Sequence, residues 1–243
     1  MRASGHLAAI ALALLSPVAA AAEPACTPER YTTVFRTDGR ELRLIHNTVS
    51  PSGAYGIAWQ VPKDASIEEW EDGSKMAEDG SARNFLVRLT DGKPIARLAG
   101  EHFGDHPRYN RTEVVVIWSP DSRYVAIVNQ SKRTTDASDV FLVSDKGASR
   151  PLRLMPICAS ATRLRAANRG GRGYILALDV TAVGDDGSVT AKCSMQLNSF
   201  EDYFAVAVKA KLVPDGNRLK AQSVESRLCE DERGICAAGG PQE

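Results

Sequence analysis

Two apolar runs flanking one short polar turn form the clearest pattern along the chain. Val114 to Ile117 is unbroken and mostly β-branched, Tyr124 to Val128 follows it, and between them stands Trp118-Ser119-Pro120-Asp121-Ser122. Runs that are apolar at every position suit strands covered on both faces. Pro120 presets the backbone of a β-turn, and Ser119, Asp121 and Ser122 can bond neighbouring backbone groups. The stretch from Trp118 to Val128 therefore predicts a β-hairpin with a buried stem, Trp118 among its core side chains.

The same grammar recurs. Thr33-Val34-Phe35, the turn Thr37-Asp38-Gly39 and Glu41 to Leu44 form a leading hairpin signature. It returns at Phe85 to Val87, Thr90-Asp91-Gly92 and Ile95 to Leu98, and again at Phe141 to Val143, Asp145-Lys146-Gly147 and Leu152 to Leu154. Ser50-Pro51-Ser52-Gly53-Ala54-Tyr55 up to Trp59 matches Ser119 to Val128, with Pro51 under Pro120 and Tyr55 under Tyr124. The earlier copy carries an insertion before its phenylalanine. A third, worn copy runs from Asp185-Asp186-Gly187-Ser188 into Val189 to Cys193, then Tyr203 to Val208, then Asp215-Gly216 and Leu219. Each unit reads as four antiparallel strands in a meander of about 40 residues. The fold class expected is all-β, built of four-stranded meander repeats in a β-propeller-like arrangement, incomplete or four-bladed. A β-sandwich would use the same strands.

Trp118-Ser119-Pro120-Asp121-Ser122, the strand Tyr124 to Val128, the strand Asp139 to Val143 and the segment Arg150 to Leu154 together resemble the TolB-type β-propeller repeat, with its Ser-Pro-Asp-Gly turn. The copy at 50 to 98 is similar but looser. The resemblance implies propeller blades, with partners bound by loops at the blade ends. Complete propellers of this type resemble six-bladed rings, whereas this chain offers three units and the leading hairpin.

The N-terminus changes the expected compartment. Arg2, the apolar run Leu7 to Leu15 and the small residues Ala20-Ala21-Ala22 read as a signal peptide over residues 1–22. The β-rich domain would then span 23–228, with a C-terminal tail at 229–243. Export to the periplasm, or secretion, follows. All five cysteines lie beyond the leader, where oxidation is expected, and their odd number leaves one thiol over. Cys229 and Cys236 flank a short polar segment with a glycine and are expected to pair, with Cys229 to Cys26 as the alternative. Helical signals are sparse: Ser66-Ile67-Glu68-Glu69-Trp70 carries a capping-box pattern inside the insertion.

Composition names no partner, because 30 basic and 30 acidic side chains balance. Local charge says more. Arg150, Arg153, Arg163, Arg165, Arg169 and Arg172 occupy a span without Asp or Glu, and guanidinium forks suit phosphate and carboxylate. Arg163, Arg165, Arg169 and Arg172 are the candidate surface for an anionic envelope partner, weighed against a merely solvated face. Trp70, within the acidic insertion, is the candidate contact for a protein partner. No aromatics interleave with the arginines to stack bases, so nucleic acid is not expected. His102 and His106 stand near carboxylates, but Gly104 and Pro107 argue for a loop rather than a metal-binding helix. The chain lacks G-x-S-x-G, a Walker loop, a dinucleotide fingerprint and H-E-x-x-H, and no cofactor or metal is expected. Cys158 and Cys193, in apolar surroundings, read as unreactive. The reading is an exported, non-enzymatic binding or scaffolding protein. The alternative is a hydrolase or lyase whose active site is assembled from distant loops.

Overall fold

A computed structural model describes residues 26–29, 32–37, 39–45, 47–60, 83–99, 113–130, 134–168, 174–196 and 203–229. Among these residues it is all-β apart from one helix. The first sheet is a six-stranded antiparallel meander of β1 (Cys26–Glu29), β2 (Thr32–Thr37), β3 (Arg40–Leu44), β4 (Tyr55–Gln60), β5 (Arg83–Arg88) and β6 (Lys93–Arg97). The leading hairpin is thus β2–β3, and it joins the first unit rather than forming one of its own. The second sheet holds β7 (Glu113–Trp118), β8 (Tyr124–Gln130) and β9 (Thr135–Ser144). Its last strand is broken into β10 (Gly147–Ala148) and β11 (Leu152–Arg153), both paired with β9. The third is a four-stranded meander of β12 (Tyr174–Val183), β13 (Ser188–Gln196), β14 (Tyr203–Asp215) and β15 (Arg218–Leu228). The copy that looks most worn in sequence therefore has the longest strands.

The second sheet is the middle layer. Alternation along β8 sends Tyr124, Ala126 and Val128 into a core shared with Leu178, Val206 and Leu212 of the third sheet. Val125 and Ile127 go the other way, into a core shared with Ile57, Trp59 and Leu86 of the first. These five residues of β8 are at most 5% exposed, as a strand covered on both faces requires. The valine and isoleucine side chains each contribute roughly 1.5–3 kcal/mol by leaving water. Trp118 differs from its expectation. It is half-buried, stacking on Tyr55 at 6.2 Å and donating its indole N–H to the Thr48 carbonyl at 2.9 Å, while the fully enclosed tryptophan is Trp59. The last residue of a strand, beside the turn, lies at the rim of the layer rather than in its middle.

The outer face of the first sheet closes on itself. Phe35, Leu42, Leu44, Ala58, Phe85 and Val87 form a third core, and a Cβ on Gly92 in the β5–β6 turn would sit 2.6 Å from Phe35 of β2. Strands β2 and β5 are three places apart in the sheet, so this approach requires strong coiling of the meander. Gly92 also has φ 65°, so both space and backbone conformation call for glycine there.

Helix α1 (Met155–Asn168) lies outside the insertion, where the only helical signal noted in the sequence stands. Pro156 falls in its first turn, where no intrahelical N–H is needed, and Ala, Leu and Arg supply propensity. Leu154, Cys158 and Ala161 pack against the third sheet, and a Cys158–Cys193 disulfide fastens α1 to β13. The insertion, Trp70 within it, and His102 and His106 lie outside the described residues.

Candidate functional site

The three equivalent turns meet at one end of the layered sheets. In the first two, the N–H of Ser50 and of Ser119 donates to the carbonyl of Tyr55 and Tyr124 at 2.8 Å, while each serine hydroxyl accepts the N–H of that same tyrosine. At the next position but one, Ser52, Asp121 and Asp186 each accept an N–H two residues on, from Ala54, Arg123 and Ser188. Gly53, Ser122 and Gly187 then all take positive φ, at 71°, 64° and 80°. The third turn is one residue shorter, since Gly184 N–H bonds to the Ser188 carbonyl, and Gly184 supplies no hydroxyl.

Successive turns are also bonded to one another. Ser52 N–H donates to Ser122 Oγ at 2.9 Å, and Asp121 N–H donates to Asp185 Oδ1 at 2.7 Å. Tyr55 hydroxyl reaches Asp145 Oδ1 and Arg88 reaches the Asp145 carbonyl, tying the first sheet to the β9–β10 turn. Burial opposes ionisation of Asp121, yet the Ser119 hydroxyl and the Arg123 N–H hold its carboxyl below the usual range. This end is therefore a pinned platform.

A cleft of about 250 Å³ opens at the platform between the second and third sheets. Arg123, Ser144, Lys146, Gly147, Ser149 and Asn217 are among its walls, and among the described residues no carboxylate lines it. Arg150 adjoins it, its N–H donating to the Asn217 carbonyl at 2.8 Å. A second, larger depression of about 490 Å³ lies on the third sheet, between Thr190, Lys209, Glu225 and Arg227. There the charges are mixed, with Lys209 directly opposite Glu225.

Strand β15 forms an edge. Residues Lys220 to Arg227 are all exposed, and among the described residues their only strand neighbour is β14. Register places Arg218, Lys220, Glu225 and Arg227 on the outer face, and Ala221, Val224 and Ser226 on the core-facing side beyond the reach of the core. Val224 is 46% exposed. Charges on one face of an edge are a common guard against unwanted pairing, and here the other face has none.

No family model, no curated protein and no solved structure matches this chain. What the site can do is thus argued from its own residues. Of the four arginines expected to form the anion-binding surface, only Arg163 has its side chain among the described residues. Arg150 sits at the bridge to Arg218, Arg153 lies opposite Asp139 in the β11–β9 pair, and Arg163 is exposed on α1. Arg165 falls in α1 with its side chain outside the described residues, as are Arg169 and Arg172 altogether. Arg123 and Lys146, which do share a cleft, were hidden in stretches whose residues read only as turn formers. Cys229 is disulfide-bonded, and Cys236 lies outside the described residues. Burial pushes the Asp139 carboxyl up, partly offset by Arg153. Among the described residues no three His, Cys, Asp or Glu side chains converge as a metal site requires, and no helix is long and apolar enough to cross a membrane.

Proposed function

We propose that this chain is an exported, periplasmic, non-enzymatic binding or scaffolding protein, built of TolB-like blades, that engages a protein partner by strand addition at β15. The Cys158–Cys193 disulfide is consistent with export. The observation that carries the binding role is the exposed edge from Lys220 to Arg227, with its one-sided charge. An incoming strand satisfies the outward N–H and C=O groups, and side chains pointing to either face supply selectivity.

Cys229 N–H donates to the Ala205 carbonyl, so by alternation the amides of Arg227, Glu225 and Ser223 point into the sheet and those of Ser226 and Val224 point away. Val224→Pro therefore deletes an outward donor and leaves the β14–β15 ladder intact. A pull-down from the envelope fraction with wild type, Val224→Pro and Val224→Ala tests the reading. Retention of a partner by wild type and Val224→Ala, lost in a proline variant of unchanged melting temperature, is the expected result. Equal retention by all three removes β15 from the binding surface.

A further inference from the structure

We infer that the cleft between the β9–β10 and β14–β15 turns is a binding site for a phosphate group. Arg123 and Lys146 enter its lining from two different turns, and among the described residues neither makes an ion pair. The carboxylates nearby are engaged elsewhere. Asp145 accepts the Tyr55 hydroxyl, Asp121 accepts the Ser119 hydroxyl and the Arg123 N–H, and Asp215 pairs with Arg218. Asp121 feels the charge of Arg123, but among the described residues no carboxylate enters the lining beside the two cations.

The remaining lining adds neutral polar groups, although the Ser144 hydroxyl is spent on the Gly147 carbonyl. Ser149 Oγ accepts the Leu142 N–H at 3.0 Å, which leaves its own proton free to point into the cleft, and the Asn217 side chain adds an amide. A Cβ added to Gly147 or Gly216 would meet nothing within 4 Å, so the glycine backbone stands open to a ligand. A guanidinium fork, an ammonium and neutral donors around one space suit a tetrahedral oxyanion better than a planar carboxylate, which the fork alone would satisfy. A cleft of about 250 Å³ exceeds one phosphate ion, leaving room for part of the molecule that carries it. The platform beneath is pinned by the bonds between turns, so little ordering cost is added on binding.

Both cations are exposed, so their replacement should leave the fold intact. The experiment is an NMR titration of the disulfide-intact chain with inorganic phosphate, ionic strength being held constant with chloride. Saturable shifts at the amides of Gly147, Ala148, Gly216 and Asn217 are expected, with affinity falling by about tenfold or more in Arg123→Gln/Lys146→Gln. Linear, unsaturated shifts in wild type, or saturation unchanged in the double variant, would overturn the site. Sedimentation with phosphatidylglycerol or phosphatidylcholine vesicles then identifies the source. Selective binding to the anionic vesicles, lost in the double variant, assigns a lipid headgroup. Phosphate binding without vesicle binding assigns a soluble phosphate ester. Val224→Pro, which tests the β15 edge, should leave the phosphate titration unchanged, so the two proposals fail separately.

Discussion

Breaking the Cys158–Cys193 bond should undock α1 and cost a large part of the stability. Both cysteines are almost fully buried, their Cα atoms stand 5.6 Å apart, and the bond closes a loop of sequence separation 35. Loop entropy for a ring of that length is about 3.8 kcal/mol. Removing the two sulfurs from the core adds roughly 1 kcal/mol more. For a domain of this size the bond alone corresponds to about 8–15 °C in melting temperature. The two contributions separate in a chain whose other three cysteines are alanine. Urea denaturation of its oxidised and reduced forms reads the cross-link. Comparison of the reduced form with Cys158→Ala/Cys193→Ala reads the packing. An oxidised-minus-reduced difference below about 1 kcal/mol would refute the loop argument, because the unfolded chain would then be no freer without the bond.

Two further outcomes are expected. Ser122→Ala keeps the positive φ and loses the bond from Ser52 N–H, a loss of about 1 kcal/mol by urea midpoint, whereas Ser122→Gly relieves the backbone and should fall nearer wild type; a glycine variant less stable than alanine would refute strain at φ 64°. Burial raises the folded-state pKa of Asp139 above the ordinary 3.8, so the native state keeps its proton where the unfolded chain has released it, and stability falls as pH rises through that window. Asp139→Asn should remove this fall and gain on wild type as pH rises, and parallel stability–pH curves would show that the carboxyl is not desolvated.

The features legible in the sequence were those written in local backbone chemistry. Ser50-Pro51 and Ser119-Pro120 announce turns because each serine hydroxyl accepts the N–H of the tyrosine five residues on, a bond made within the turn itself. The third turn keeps the geometry with Gly184 and Asp185 in place of Ser-Pro, so it was visible only through Asp186, Gly187 and the strands around it. Helix α1 was obscured because its buried stripe is small and partly polar, Cys158, Ala161 and Thr162, leaving the arginines to dominate the pattern. The Cys158–Cys193 pairing could not be chosen among five cysteines, since it depends on where a helix absent from the expectation comes to rest. Arg123 and Lys146 stand 23 positions apart in different hairpins of the second sheet; the β8–β9 pairing, in which the Val143 N–H donates to the Arg123 carbonyl, brings them to one end, and the third sheet adds Gly216 and Asn217 to complete the cleft.

How the layers end decides whether three units can stand without more. An internal sheet such as the second is apolar on both faces and would aggregate if either were bared. The first sheet avoids this by coiling until Phe35 reaches the β5–β6 turn, which turns its outer face into a core of its own. The third does it by composition. Its outer face presents Thr190, Lys192, Lys209 and Lys211, the last paired with Asp186, against the apolar Val189, Ala191, Val208 and Ala210 on the inner one. Repeat stacks are made soluble by such polar or self-covering terminal units. With both outer faces satisfied, what stays open among the described residues is the edge of β15 and the cleft at the turns.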